Sequence, residues 1–493
     1  DTEGLLRAYE DAWYYMWRER RLPTNVNPLE SNLSDAVERE RLARVFRQGL
    51  NQVVGWVLPL SHDGFRFRSG KWFLREENCF LLPGDSPMGF RLPLDSLPWT
   101  SSVDYDGVVP LDPTVERAPL PEYREFWERF DAGRSATIRH QTPSDARRAE
   151  SSAGESARFG DAGRFGDAGQ GRSRRERPGI PTPVPGKSAV GIVRTALCVE
   201  PRGGILHVFM PPFETAESYL ELCAALERTC EITGLPVQIE GYPAPDDARL
   251  RVFKLTPDPG VLEVNVPPVS GWRNLVRQTS ELYQAARLEN LDAQKFDLDG
   301  KHIGSGGGNH LVMGAQTPLE SPFLRRPDVL RSLIAFWLNH PSLSYLFSGQ
   351  FIGPTSQSPR VDEARNDAVY ELELAFAQLP LGGNLPPWLV DRVLRHLLVD
   401  VTGNTHRTEF CIDKLYSPDS SSGRLGLLEM RAFEMPPHQR MASAQHVLVR
   451  SLLALFHAQP YTERLVKWGT RLHDDFLLPH FVKHDLADAL SYV

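Results

Sequence analysis

The spacing of hydrophobic residues predicts a series of helices and short strands along most of the chain. At the N-terminus, Leu5, Tyr9, Trp13 and Trp17 recur at helical spacing with charges between them, which indicates an amphipathic helix. A second helix is predicted at Ser34–Val54. Short runs that contain aromatic residues predict strands at Gly64–Arg68, Lys71–Arg75 and Cys79–Leu82. We therefore interpret residues 1–132 as a smaller N-terminal α+β region.

A polar segment interrupts this pattern between residues 133 and 187. The sequence of Arg158–Gly163, Arg-Phe-Gly-Asp-Ala-Gly, is repeated at once as Arg164–Gly169. Such a polar repeat buries too little apolar surface to offset the loss of chain entropy on folding. We expect residues 133–187 to be a disordered linker or an inserted surface loop, with solvated basic residues.

After residue 188 the pattern predicts hairpins with helices between them. The predicted hairpins are Gly191–Glu200 with Gly204–Met210, and Leu250–Leu255 with Val261–Val266. Further predicted strands are Val237–Glu240, Thr408–Ile412 and Leu425–Phe433. The predicted helices are Thr215–Thr233, Trp272–Arg287, Pro327–Asn339, Arg365–Ala377, Pro387–Val399, Gln439–Leu455 and Leu465–Leu490. Antiparallel hairpins among helices are typical of an α+β fold rather than of a parallel doubly wound sheet.

Composition and charge exclude several functional classes. The 55 basic and 63 acidic residues give a net charge of −8, so nothing indicates a general nucleic-acid-binding protein. No run approaches the ~20 apolar residues of a membrane span and no signal peptide is visible, so we expect a cytoplasmic protein without a membrane partner. The five cysteines form no CxxC pair, which argues against a disulfide framework or a zinc cluster. Because the chain begins at Asp1, we expect it to be part of a longer polypeptide.

Acidic residues recur inside the predicted strands, at positions where the solvent-exposed face of a sheet usually carries lysine, threonine or serine. The clearest case is Leu425–Phe433, in which Glu429 and Arg431 interrupt an apolar run on one face. One interpretation is a solvated second face of an antiparallel sheet. The other is a metal site, because grouped carboxylates repel one another unless a cation is present, and oxygen ligands with a histidine suit Mg²⁺ or Mn²⁺ better than Zn²⁺. Arginines on the same faces would then bind carboxylate or phosphate.

The stretch His302–His310 combines four glycines with two histidines. Glycine allows close approach of a ligand to the backbone, and histidine is a common metal ligand and acid–base group. The stretch lacks the Lys-Ser/Thr of a phosphate loop, and the chain contains no GxSxG or HExxH motif. Phosphoryl transfer requires acidic residues that bind metal ions and arginines that bind the anionic phosphates. Cys198 and Cys411 are interpreted as buried, inert thiols.

Several long motifs resemble the bacterial amidoligase family with a glutamine synthetase-like, carboxylate–amine ligase fold. They are Arg194–Arg202, Thr256–Asn265, His302–His310, Asn339–Gly349, Gly353–Arg365, Thr402–Lys414 and Leu428–His438, with Asp85–Trp99 upstream. The resemblance implies a curved antiparallel catalytic sheet flanked by helices over residues 188–493. It also implies a transglutaminase-like domain preceding this chain in the full-length polypeptide.

The resemblance further implies amide-bond formation through an acyl phosphate, with ATP and Mg²⁺ or Mn²⁺ as cofactors and peptide or amino-acid carboxylates and amines as substrates. By position, the implied metal ligands are Glu200, Glu240, Glu263, His310 and Glu429. The implied nucleotide-binding residues are Gly304, Ser305, Gly306, Asn309 and Arg365, and the implied catalytic arginines are Arg360, Arg407 and Arg431. Two alternatives stay open: an ATP-dependent kinase of a carboxyl or guanidino group on the same fold, and a non-catalytic peptide-binding module.

Overall fold

The computed structural model describes residues 5–10, 53–74, 79–83, 90–92, 94, 97–105, 107–140, 182–184, 186–349, 352–365, 367–383 and 385–493. The chain forms two compact units. Unit 1 comprises Asp1–Val109 and Pro119–Pro245, and unit 2 comprises Pro110–Ala118 and Asp246–Val493. These units differ from the predicted division at residues 132 and 188, because strands from both sides of that division pair in one sheet.

Unit 1 is built on a mixed seven-stranded sheet with the order β6-β5-β1-β2-β7-β8-β9. Its strands are β1 (Leu6–Glu10), β2 (Gly55–Pro59), β5 (Cys79–Pro83), β6 (Phe90–Arg91), β7 (Ala196–Arg202), β8 (Ile205–Met210) and β9 (Val237–Gly241). The predicted β7–β8 hairpin is confirmed, whereas β1 with β5 and β8 with β9 pair in parallel. The sheet is thus not purely antiparallel. Two short strands, β3 (Ser61–His62) and β4 (Phe67–Arg68), form a separate hairpin.

The N-terminal predictions are corrected at two places. Leu6–Glu10 is a strand and not the start of a helix, because it pairs with both β2 and β5 and buries Ala8 completely. Lys71–Leu74 forms no strand; its Trp72 instead packs into the core and donates Nε1–H to the carbonyl of Val193 at 2.5 Å. Tertiary pairing overrides local pattern here. The predicted helix at Ser34–Val54 lies almost wholly outside the described residues.

Among the described residues of unit 1 there are two helices, α1 (Tyr123–His140) and α2 (Ala216–Thr233). Helix α2 agrees with the prediction: the Thr215 hydroxyl accepts from the Ser218 N–H at its start, and Gly234 adopts a left-handed conformation at its end. Helix α1 continues past residue 133, where the linker was predicted to begin, and residues 141–181 lie outside the described part of the chain.

The strands in the described part of unit 2 are short and form three small sheets. The hairpin β10 (Lys254–Asp258) with β11 (Val261–Asn265) is confirmed, and β12 (Lys295–Phe296) pairs with β13 (His302–Ile303). A three-stranded antiparallel sheet has the order β14 (Leu311–Met313), β16 (Leu428–Met430) and β15 (Phe410–Cys411). The strands predicted at Thr408–Ile412 and Leu425–Phe433 shorten to β15 and β16.

The core of unit 2 is largely helical. Its helices are α3 (Trp272–Leu288), α4 (Pro322–Arg325), α5 (Pro327–Asn339), α6 (Ser342–Tyr345), α7 (Val361–Ala364), α8 (Ala368–Ala377), α9 (Pro387–Leu394), α10 (Gln439–Ala458), α11 (Arg471–Phe476) and α12 (Pro479–Ser491). Helix α5 begins with Pro327 and buries every residue except Arg331, as expected of a helix that is hydrophobic all round. The mixed helices and small sheets are compatible with the predicted α+β class. None of the described helices is long and apolar enough to cross a membrane.

Candidate functional site

The β14–β16–β15 sheet of unit 2 has one apolar face and one charged face. Leu311, Met430 and Phe410 are register partners and are fully buried in the hydrophobic core. Because side chains alternate along a strand, the next row, which contains Glu429 and Cys411, lies on the opposite face. The sheet therefore carries a carboxylate on the face that does not pack into the core.

Glu429 is the centre of a cluster of basic side chains on this face. Its Oε1 accepts from Arg431 Nη1 at 2.7 Å and lies 3.1 Å from His310 Nδ1. Its Oε2 accepts from Lys414 Nζ at 3.3 Å. Glu429 is only 5 % exposed. We call His310, Lys414, Glu429 and Arg431 the Glu429 cluster.

Electrostatics make the Glu429 cluster a site for an anion. The hydrogen bond from His310, together with the charges of Lys414 and Arg431, lowers the pKa of Glu429 to about 2 against the opposing effect of burial. With Glu429 ionised, one negative charge faces two permanent positive charges. The Lys414 side chain is 48 % exposed, so this surplus positive charge is accessible to a ligand. Lysine and arginine in such an arrangement bind phosphate or carboxylate.

The glycine-rich stretch lies beside the segment that follows β16. The Asn309 N–H donates to the Phe433 carbonyl at 2.8 Å, and the Met435 N–H donates to the Gly307 carbonyl at 3.0 Å. Gly308 forms an antiparallel bridge with Glu434. These bonds hold the stretch against the end of β16 and thereby place His310 next to Glu429.

Two glycines of this stretch are required by close approaches of charged side chains. A Cβ at Gly304 would fall 1.1 Å from Glu434 Oε1, and a Cβ at Gly308 would fall 2.5 Å from His310 Nε2. Real Cβ atoms do not approach other atoms this closely, so these side chains have to move if alanine replaces either glycine. The glycines thus make room for Glu434 and His310.

An open cleft of about 380 Å³ adjoins the glycine-rich stretch. It is lined by Asp297, Asp299, Lys301, His302, Ile303, Gly304, Gly349 and Glu434. Burial raises the pKa of Glu434, although the nearby charge of His302 opposes this shift. The cleft is mostly polar and acidic, in contrast to the basic Glu429 cluster.

Arg360, predicted to be catalytic, is a buried structural cation. It is 2 % exposed, and its guanidinium donates to both Asp362 carboxylate oxygens at 2.8–2.9 Å. It also donates to the Leu338 carbonyl at 2.8 Å and to the Ser344 hydroxyl at 2.9 Å. These contacts tie the start of α7 to the end of α5, and they leave the guanidinium away from any ligand-accessible surface.

The remaining residues predicted to bind nucleotide or substrate have mixed environments. Asn309 Nδ2 donates to the buried Gln445 of α10 at 2.7 Å, which makes its side chain a structural anchor. Ser305 Oγ accepts from the N–H of Gly307 at 3.2 Å within the loop, whose Gly306 has a positive φ of 83°. The last two are solvent-accessible arginines: Arg365 pairs with Glu371 at 2.6 Å, and Arg407 donates to the Ser356 carbonyl at 3.0 Å.

Two of the predicted metal ligands, Glu200 and Glu240, lie in the sheet of unit 1. Glu200 is the register partner of His207, and Glu240 Oε1 accepts from Arg202 Nη2 at 2.5 Å and from His207 Nδ1 at 3.1 Å. Burial raises the pKa of Glu240, but Arg202 and His207 outweigh this effect and lower it overall. Unit 1 therefore has its own charged sheet face, in which an arginine already pairs with one of the acids.

The five predicted metal ligands are distributed over both units. Glu200 and Glu240 belong to unit 1, whereas Glu263, His310 and Glu429 belong to unit 2. Glu263 is exposed and accepts from Asn265 at 2.7 Å, and Glu429 is surrounded by basic groups. In the described part of the chain, only His406, Cys411 and Asp413 form a group of three such side chains with ligand atoms within 4.8 Å of one another. The donor chemistry at Glu429 fits an anion rather than a bare cation.

Sequence reasoning missed two residues of this region, Lys414 and Glu434. Both lie inside motifs that carry the family resemblance, Thr402–Lys414 and Leu428–His438. Lys414 follows β15 and reaches Glu429 only because β15 pairs with β16. A lysine three residues after a short apolar strand was the available signal, but its partner depends on long-range strand pairing.

Comparison with known proteins gives the family of the chain. No curated protein and no solved structure matches it. A family model described as "Putative amidoligase enzyme (DUF2126)" matches residues 1–493, which is the whole sequence, and the protein belongs to this family.

Proposed function

We propose that the protein is an ATP-dependent carboxylate–amine ligase that forms an amide bond through an acyl phosphate, on a glutamine synthetase-like fold. The proposed substrates are a peptide or amino-acid carboxylate and an amine, and the nucleotide is used as its Mg²⁺ chelate. The observation that carries the proposal is the Glu429 cluster: an ionised carboxylate that holds a lysine and an arginine on an accessible sheet face, in a member of an amidoligase family.

The proposed reaction has two steps. In the first, a carboxylate oxygen of the substrate attacks the γ-phosphorus of ATP, the bond to the β–γ bridging oxygen breaks, and ADP leaves. In the second, the amine nitrogen attacks the acyl carbon, phosphate leaves and the nitrogen loses a proton. Both steps move negative charge onto phosphate oxygens, and their catalysis depends on positioning and charge neutralisation.

The residues of the Glu429 cluster supply this neutralisation. Lys414 and Arg431 offer N–H donors to the phosphoryl oxygens, while the Glu429 carboxylate accepts hydrogen bonds from both side chains and so fixes their positions. His310 donates from Nδ1 to Glu429 and thus fixes the position of the carboxylate. The proposed division of roles makes Lys414 and Arg431 the ligand-contacting groups and Glu429 the positioning residue.

The test is a reaction of the full chain with ATP, Mg²⁺ and a library of peptides and amino acids, analysed by mass spectrometry for amides and for ADP. Removal of one preorganised charge typically lowers the rate by about 10²–10³. We therefore expect Lys414→Met and Arg431→Gln each to lower amide formation by about this factor. Arg471→Gln, which removes a solvent-accessible arginine of α11 that belongs to no predicted site, is the matched control and should keep the native rate.

The products separate the proposal from its alternatives. Ligation gives an amide and free phosphate, whereas a kinase gives a stable phosphorylated carboxyl or guanidino product. If Lys414→Met and Arg431→Gln form amide at the native rate, the Glu429 cluster is not the site. Absence of ATP or Mg²⁺ binding by calorimetry would favour the non-catalytic peptide-binding module over the ligase.

A further inference from the structure

A second cluster of reactive side chains lies around Cys411, on the strand next to Glu429. Cys411 Sγ is 3.8 Å from His406 Nδ1, and His406 Nε2 is 3.0 Å from Asp413 Oδ2. One ligand atom from each of these three residues lies within 4.8 Å of the other two. Ligand atoms bonded to one tetrahedral metal at ~2.0–2.3 Å are about 3.3–3.8 Å apart, so these three atoms need to approach one another by at most about 1.5 Å to bind an ion. The proposed function uses none of the three side chains.

The environment of Asp413 leaves one of its carboxylate oxygens available to a ligand. Its Oδ1 is buried and has no hydrogen-bond partner among the described residues, although Arg395 Nη1 lies 3.8 Å away. Its Oδ2 accepts from Thr405 Oγ1 at 2.7 Å. One oxygen is thus oriented by a neighbour while the other is left unsatisfied, and burial of an unsatisfied carboxylate oxygen is costly.

The local charge favours a cation. Arg395 is held by Asp391, whose carboxylate accepts from its Nε at 2.9 Å and from its Nη2 at 2.5 Å. Two carboxylates, those of Asp391 and Asp413, therefore face one guanidinium. Asp391, Asp413 and Arg395 together carry one net negative charge, and the opposite charges of Glu429 and Arg431 act on Cys411 in opposite directions.

We propose that His406, Cys411 and Asp413 bind a divalent transition-metal ion of the Zn²⁺ type. One sulfur, one imidazole nitrogen and one carboxylate oxygen are ligands of this class, and a thiolate selects it over Mg²⁺. On binding, the Cys411 thiol loses its proton to solvent and its sulfur bonds to the ion. Three protein ligands leave a fourth position for water. The His406 side chain is 61 % exposed and gives the ion a route from solvent.

The same three side chains resemble a thiol–imidazole–carboxylate nucleophile. Accessibility argues against that role, because Cys411 is 1 % exposed and lies within β15, so a substrate carbonyl cannot reach its sulfur. A buried cysteine is well placed as a metal ligand, since the ion needs only an approach between the side chains.

The test uses the full chain, stripped with a chelator, dialysed against Zn²⁺ or Co²⁺ and then freed of loosely held ions. We expect one ion per chain by plasma mass spectrometry, and a thiolate-to-cobalt charge-transfer band with Co²⁺. His406→Ala should abolish both signals without unfolding the exposed loop, and His457→Ala, an exposed histidine of α10, should leave them unchanged. Thr405→Val removes the donor that orients Asp413 and should weaken Zn²⁺ binding about 10–100-fold.

Several outcomes overturn this proposal without affecting the proposed ligase activity, which does not use these residues. One is the absence of a bound ion above the level of the His406→Ala variant. Another is a bound ion that persists in both His406→Ala and Cys411→Ser. Rapid alkylation of Cys411 by iodoacetamide that slows in His406→Ala, with no ion bound, would assign a thiol nucleophile instead.

Discussion

Replacing Gly308 by alanine tests whether the glycine-rich stretch sets the position of His310. The added Cβ would lie 2.5 Å from His310 Nε2 and 2.7 Å from its Cδ2, whereas ordinary contact begins near 3.4 Å. The imidazole must therefore shift by roughly 1 Å. Because the nearest other atom, the Phe433 carbonyl oxygen, is at 3.5 Å, the clash falls on His310 alone. We expect a shift of this size to weaken the contact between His310 Nδ1 and Glu429, which are now 3.1 Å apart.

The expected cost follows from the bond that is lost. A hydrogen bond to a charged group contributes about 1.5–3 kcal/mol, and the bond from His310 is the largest influence that lowers the pKa of Glu429. We expect Gly308→Ala to lower the free energy of unfolding by about 1–3 kcal/mol. The matched control is Gly307→Ala, because a Cβ there meets only Ser305 and Val261 at 3.6–3.7 Å. That variant should change stability by less than about 1 kcal/mol.

A double-mutant cycle isolates the clash. Urea unfolding is measured for the native chain, Gly308→Ala, His310→Ala and the double variant. In the His310→Ala background the methyl group added by Gly308→Ala has no imidazole to displace. The losses in free energy of unfolding caused by the two single substitutions should therefore differ in sum from the loss in the double variant by about 1 kcal/mol or more. Additive losses within about 0.5 kcal/mol would show that the close approach of Gly308 does not position His310.

Three further predictions concern charges in the same unit. Because the pKa of Glu429 is lowered from 4.5 to about 2, its ionised form stabilises the fold above pH 4.5, and this contribution is lost as the pH falls from 4.5 to about 2. The stability difference between the native chain and Glu429→Gln in urea unfolding should therefore shrink by about 3 kcal/mol between pH 6 and pH 2; a constant difference would refute the shift. Arg360→Ala should lower the free energy of unfolding by about 3–5 kcal/mol, because it leaves buried carboxylates unpaired. Arg365→Ala, the control, should lower it by less than about 1 kcal/mol, because the Arg365 ion pair is exposed. Equal losses would show that Arg360 is not a buried structural cation. In the same assay, Gly304→Ala should lower the free energy of unfolding by about 1 kcal/mol when it is introduced into the native chain. It should have no measurable effect when it is introduced into the Glu434→Ala variant, because the added Cβ meets the flexible Glu434 carboxylate. An equal loss in both backgrounds would show that the strain lies in the backbone.

Elements with strong local signals could be predicted from the sequence. Helix α2 has a threonine cap and a terminal glycine, and α5 has a proline at its start and apolar residues on all faces, so both were predicted nearly to the residue. Leu6–Glu10 has helical spacing but is a strand, because its pairing with β2 and β5 decides its conformation. The parallel pairing of β9 with β8 was likewise missed, since nothing local in Val237–Gly241 specifies its partner.

The candidate site was predictable where alternation within one strand determines it. Glu429 and Arg431 were expected on one face of the strand predicted at Leu425–Phe433, and they form an ion pair at 2.7 Å. Arg360 looked like a ligand-binding arginine, because the sequence does not show that the ends of α5 and α7 enclose it. Lys414 was overlooked for the opposite reason: its contact with Glu429 arises from the pairing of β15 with β16.

The surroundings of Glu429 also determine which ligand the cluster can attract first. Two unit charges about 4 Å apart interact by about 4 kcal/mol at an effective dielectric constant of 20, and a divalent cation roughly doubles this. Lys414 and Arg431 both lie within 3.3 Å of the Glu429 carboxylate. If they stayed there, each would repel a bare divalent ion bound to Glu429 by about 8 kcal/mol. A nucleotide chelate keeps net negative charge on its phosphates and is attracted by the same two side chains. The proposed ligase should therefore bind the nucleotide through the Glu429 cluster without first loading a free ion there, and saturating Mg²⁺ alone should not protect the chain against unfolding by urea.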